Sequence, residues 1–150
     1  MIEDGQRLFE KAERNLKVAK FNLSAGDPDF IEDICYNSQQ AVEKYLKSYL
    51  AYNNKEIRHT HVIKDLLNDC KEIDPDFNYL EKFNPDILTD YAVDLRYEEI
   101  PVPTIEDAKE ATTIAEQVRP FVLGKIKDIS LDKSPENQPD KNGPDPDIDF

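Results

Sequence analysis

Apolar residues over the first 52 positions keep helical time. Phe9, Ala12, Leu16, Ala19 and Leu23 recur every three or four residues, which predicts a helix over 3–25 with a single apolar stripe. Gly26 supplies a C-terminal stop. Asp27 stands where a cap for the next helix belongs, and Pro28 suits a first turn in which no N–H is needed. The second helix, predicted over about 29–52, carries Ile31, Ile34, Cys35, Ser38, Ala41, Val42, Tyr45, Leu46, Tyr49 and Leu50. A face that wide touches more than one neighbour. Gln39, Gln40, Glu43, Lys44 and Lys47 are interleaved with it as a polar flank.

A third helix is predicted over 62–73, with Val62, Ile63, Leu66, Leu67 and Cys70 inward and Thr60 or His61 as its cap. DPDFNYLEKFNPD reads as a connector with one helical turn. Asn84 and Pro85 open a fourth helix to about residue 95, with Ile87, Leu88, Tyr91, Ala92 and Leu95 inward. Pro101 and Pro103 then disfavour regular structure. The last helix follows Thr104. Asp107 stands three residues on, where a capping box prefers Glu or Gln. Ala108, Ala111, Ala115, Val118 and Val122 form a narrow stripe, which Ile114, Phe121 and Ile126 widen. Pro120 should bend this helix. The expected fold is all-α: an up-and-down helical bundle of four main helices plus a short extra helix or turn, over 1–129. Residues 130–150 are rich in Pro, Asp and Asn and cannot offset the entropy of folding, so a disordered tail is expected there.

Charge changes the picture more than size does. The chain of 150 residues carries −13, and the tail's six acids against two lysines account for −4 of it. A body at −9 repels nucleic acid in general, so any nucleotide or RNA contact needs a local basic pocket. No run approaches the roughly 20 apolar residues that span a bilayer, and no membrane contact is expected. The N-terminus lacks a basic start followed by an apolar run, so no signal peptide is expected and the cytoplasm is the natural compartment. Cys35 and Cys70 lie in apolar helical patterns and read as reduced, buried thiols.

Several chemistries lack their residues. There is no CxxC pair, no HExxH and no serine in a nucleophile elbow. Glycine occurs only at 5, 26, 124 and 143, which leaves no backbone cradle for phosphate. No metal or other cofactor is expected. His59 and His61 are the only histidines. One histidine near neutral pH can move a proton, and an arginine beside it can stabilise a phosphate. Arg58 adjoins His59, closer than the three or four residues that would align two side chains on a helix. Glu43 and Lys47 are spaced for an ion pair worth about 0.3 kcal/mol if exposed. Arg96-Tyr97 ends the fourth predicted helix. There Arg96 either offsets the helix's negative end or joins Lys44 in an anion site.

Three stretches together, SQQAVEKYLKSYL (38–50), HTHVIKDLL (59–67) and DYAVDLRYEE (90–99), resemble the HEPN family (higher eukaryotes and prokaryotes nucleotide-binding domains) over about 3–127. The resemblance implies a helical bundle that pairs as a homodimer. Many prokaryotic members work beside a minimal nucleotidyltransferase, often as a toxin–antitoxin pair. The active toxins are metal-independent ribonucleases with an Arg-x(4-6)-His motif, and here no histidine follows Arg96. By the resemblance, the cleft and dimer region falls to Gln40, Glu43 and Lys44, to His61, and to Arg96 and Tyr97. His61 and Arg96 are its only candidates for catalysis. The expected function is a non-catalytic or weakly active partner of a nucleotidyltransferase, with a nucleotide or RNA end as further ligand. A ribonuclease with a nonstandard Arg/His site, drawing on Arg96 or Arg58, is the first alternative. A purely structural dimerisation module is the second.

Overall fold

The computed structural model describes residues 2–92 and 101–132, and no strand occurs among them. Helix α1 spans Ile2–Ala25. Gly26 ends it in the left-handed region at φ 72°, and its N–H donates to the Leu23 carbonyl. Asp27 then accepts from the Asp29 N–H at 2.9 Å and opens a single 3-10 turn, Pro28–Phe30. Helix α2, Ile31–Tyr52, follows directly. Helix α3 is Ile63–Ile73, and α4 is Ile105–Asp132.

Helix α2 is the axis of the bundle, as its wide apolar face requires. It runs antiparallel to α1, with Tyr45 edge-on to Phe9 at 5.0 Å and Asn37 bonded to Asn15. It runs parallel to α4, with Ser38 bonded to Thr112 at 3.3 Å. The same core includes Leu46, Leu50, Ile63, Leu66 and Leu80, all buried. Phe77 closes one end between Tyr49 at 4.5 Å and Phe121 at 5.0 Å. Burial of side chains of this size contributes about 1.5–3 kcal/mol each. Both cysteines are free and buried, and burial foremost pushes the Cys35 thiol up to about 12.

The polar clamp between three helices is also internal. Tyr45 donates to Glu13 at 2.6 Å, and Arg119 grips the same carboxylate at 2.7 and 3.0 Å. That joins α1, α2 and α4 at one level. Thr104 and Asp107 form a reciprocal capping box at 2.8 and 3.2 Å, so aspartate serves here where Glu or Gln is commoner. Helix α4 continues through Pro120.

Two expectations change in detail. The fourth predicted helix and the connector before it are runs of 3-10 turns, Pro85–Ala92 and Pro75–Phe83. Their apolar residues explain this: Phe77, Leu80 and Phe83, then Pro85, Leu88 and Tyr91, step by three. Asn84, left-handed at φ 54°, separates the two runs. The start of α3 also differs. Thr60 accepts from the Val62 N–H, but Val62 occupies the cap position and the Ile63 N–H is met by Thr89 at 3.1 Å, from the second run. The predicted end of the fourth helix, with Arg96 and Tyr97, and the predicted tail beyond residue 132 lie outside the described residues.

Candidate functional site

Successive residues on a helix point about 100° apart, so the polar flank of α2 divides into two sides. One side faces the loop before α3. There Glu43 is 3% exposed. Its carboxylate accepts from Lys47 at 2.7 Å and from Gln39 at 2.8 Å. The His61 Nδ1 lies 3.0 Å from the oxygen that Gln39 also contacts. Gln40 donates in turn to the Gln39 carbonyl oxygen at 2.7 Å. Burial alone would raise the Glu43 pKa, and it is the largest single influence. The bonds from Lys47, His61 and Gln39 together outweigh it and hold the carboxyl below its ordinary range.

The other side faces α1. Lys44 donates to Asn15 at 3.0 Å, and Asn15 donates to Asn37 at 2.9 Å. Burial, first, lowers the Lys44 pKa. Glu43 opposes that, while Lys11, Lys47 and Arg14 add to it by repulsion. Lys44 therefore sits at the edge of a local positive field on an acidic body.

The chemistry open to each side differs. Glu43 orients His61, whose imidazole is otherwise largely in solvent at 64% side-chain exposure. A carboxylate-oriented imidazole can shuttle a proton. No described arginine faces it. Arg58 turns away and holds Asp69 through two bonds, at 2.7 and 2.9 Å. His59 is exposed. Among the described residues no three His, Cys, Asp or Glu side chains gather as metal ligands.

The HEPN domain family model matches residues 6–126, most of the chain. This chain belongs to the HEPN family. A search of curated proteins finds no match. Among solved structures, a crystal structure of an archaeal HEPN homologue matches with a TM-score of 0.60 at 24% identity, over 81% of this chain and 97% of its own. At that identity it speaks for the fold, which is the helical bundle described above.

Within this HEPN bundle the structure brings Gln40, Glu43 and His61 into one network and sets Lys44 apart on the α1 seam. Two members of the network, Gln39 and Lys47, carry no motif role in the resemblance. Their spacing of four from Glu43 was the available signal. The Glu13–Tyr45–Arg119 clamp had none, since 106 residues separate its ends. No helix among the described residues is long and apolar enough to cross a membrane.

Proposed function

We propose that this HEPN protein works by binding rather than by cutting, as the non-catalytic partner of a minimal nucleotidyltransferase in a cytoplasmic two-component, toxin–antitoxin-like system. One observation carries this reading. The buried carboxylate of the family's helix motif, Glu43, is saturated by Lys47, Gln39 and His61, so the motif closes on itself. The family resemblance supplies the nucleotidyltransferase, and a nucleotide or RNA end remains a further ligand for the Lys44 side. The test is isolation of the protein from its native cells under mild salt, with mass spectrometry of what accompanies it. A stoichiometric nucleotidyltransferase is expected, and the pure protein should leave RNA intact. Absence of that partner from repeated isolations would sink the reading.

A specific feature favours a second reading. Glu43 holds Nδ1 of His61 and leaves the far side of the ring to solvent, which is the posture of an oriented general base. As a ribonuclease the protein would cleave RNA in the presence of a chelator, and His61→Ala would abolish cleavage. Cleavage unchanged in that variant excludes the site.

A further inference from the structure

Cations gather along the seam between α1 and α4, on a chain that carries −13. Arg14, Lys17, Lys20 and Arg119 line an open pocket of about 420 Å³ there, with Glu13 as its carboxylate. Arg119 is engaged by Glu13 at 2.7 Å, and Lys20 reaches Glu116 at 3.1 Å. Arg14 and Lys17 are exposed, and among the described residues neither forms an ion pair. Val18 and Phe21 continue this face. Arg14, Lys17 and Phe21 follow each other at steps of three and four, and Val18 stands four after Arg14 and three before Phe21. Phe21 is 71% exposed and Val18 44%, on the side away from the buried Phe9, Ala12 and Ala19. Cations and apolar groups interleaved in this way suit a ligand that interleaves carboxylates with apolar groups.

The chain carries such a segment outside the described residues. In DPDIDF, residues 145–150, acid and apolar positions alternate without a break. Alternate residues of an extended chain share a side, which sets Asp145, Asp147 and Asp149 on one edge and Pro146, Ile148 and Phe150 on the other. The spacings agree, at about 6.6 Å between alternate residues of an extended chain and about 5–6 Å between helix neighbours three or four apart. The reach agrees as well. Helices α1 and α4 run antiparallel, and the Glu13–Arg119 pair sets those two residues level. The end of α4 at Asp132 lies roughly 20 Å below that level, at 1.5 Å per residue. Residues 133–144 form the link back, with a mean end-to-end length of about 19 Å as a flexible chain. A tether whose mean length matches its span holds its end at about millimolar effective concentration.

We propose that residues 145–150 dock back onto this face of their own chain and cover the pocket. The carboxylates meet Arg14 and Lys17, and Ile148 and Phe150 lie against Val18 and Phe21. The groove beside Tyr79, Pro120 and Phe121 is the poorer seat. Asp76 lines it, and the neighbouring Lys125 is held by Asp74 and Asp76 at 2.7 and 2.6 Å. Its other cation, Lys82, already lies over the Tyr79 ring at 4.8 Å. Nucleic acid also fits the α1 face less well, since a phosphate chain on Arg14 and Lys17 gains nothing from Val18 and is repelled by the chain's net charge. The inference goes beyond the function proposed above and is independent of it, because it concerns two parts of one chain and no partner.

The test is NMR of the full chain with a nitroxide label on Asn142→Cys, the native thiols Cys35 and Cys70 being buried. The amides of residues 11–21 and of Arg119 should lose about half or more of their intensity to the label. The effect should weaken in about 1 M salt, where the Debye length falls to about 3 Å. Asp145→Asn, Asp147→Asn and Asp149→Asn made together should abolish it, and so should Arg14→Glu with Lys17→Glu. Amides of α2 in the same spectra report that each variant is folded. Four results would overturn the proposal. The first is a set of α1 amides that ignore the label, whether or not they shift with added RNA. The second is broadening that survives both sets of substitutions. The third is broadening centred on Tyr79 and Phe121. The fourth is equal broadening when a labelled chain is mixed with an unlabelled, isotope-enriched one, which would seat the segment on another copy.

Discussion

The two sides of the α1–α2 hairpin treat charge in opposite ways. On the α3 side, Glu43 is buried and every strong group near it has a partner within the chain. On the outer side, Lys11, Arg14 and Asp29 stand in water with no ion pair among the described residues. The difference follows from desolvation. A buried carboxylate without donors costs several kcal/mol, so it persists only where the fold provides them. An exposed charge carries no such penalty and stays available to something outside the bundle. A closed polar network thus marks where the bundle is held in one arrangement, and open, segregated charge marks where it can be met.

The largest break in this contrast is Glu43→Ala. It leaves the half-buried Lys47 ammonium and the Gln39 amide without their acceptor. We expect a loss of about 3 kcal/mol in urea unfolding, the scale of a broken buried pair. A loss under about 1 kcal/mol would mean that water fills the site and that the network is not closed.

Acidification probes the same carboxylate more gently. The Glu43 pKa is lower folded than unfolded, so its contribution is fully present above the unfolded value, about 4.3, and disappears as pH falls through the folded value. Glu43→Gln removes the titration. The stability gap between wild type and this variant should therefore be constant at neutral pH and shrink on acidification below about pH 4.3. Comparing the two chains cancels the other depressed carboxyls, Asp69 held by Arg58 and Asp74 held by Lys125. A gap that widens in acid would show that the donors do not favour the charged form.

How much of this contrast could be read in the sequence depends on the span of each contact. The Gln39–Glu43–Lys47 steps are local and were visible as spacing. Their depth was not, and the exposed-pair value of a few tenths of a kcal/mol undersells a pair that the fold buries. His61 joins from 18 residues away; as one of two histidines it stood out in the sequence, but only the family resemblance placed it with the α2 motif. The Glu13–Arg119 clamp and the Thr89 cap on α3 cross still longer spans and left no pattern. The 3-10 runs were read as helix and connector because eight or nine residues hold too few turns to separate a period of 3 from one of 3.6. The capping box at Thr104 was legible because both partners lie within four residues. Thr104→Ala should cost about 1 kcal/mol in thermal or urea unfolding, the usual worth of such a cap.

The smallest effect is expected next door to the largest. Lys44→Met alters the residue adjacent to Glu43, on the α1 side. The ammonium there gains one bond to Asn15. Against it stand burial first, then repulsion from Lys11, Lys47 and Arg14, all of which disfavour the charged form, with Glu43 as a counterweight in its favour. Methionine keeps the stem's packing and removes the charge, while the Asn15 amide keeps its bond to Asn37. The change in stability should stay within about 1 kcal/mol and could take the stabilising sign. A loss as large as that of Glu43→Ala would show that Lys44 belongs to the closed network. It would also remove it from the candidates for meeting an anion, since a cation the fold depends on is not free to exchange its partner.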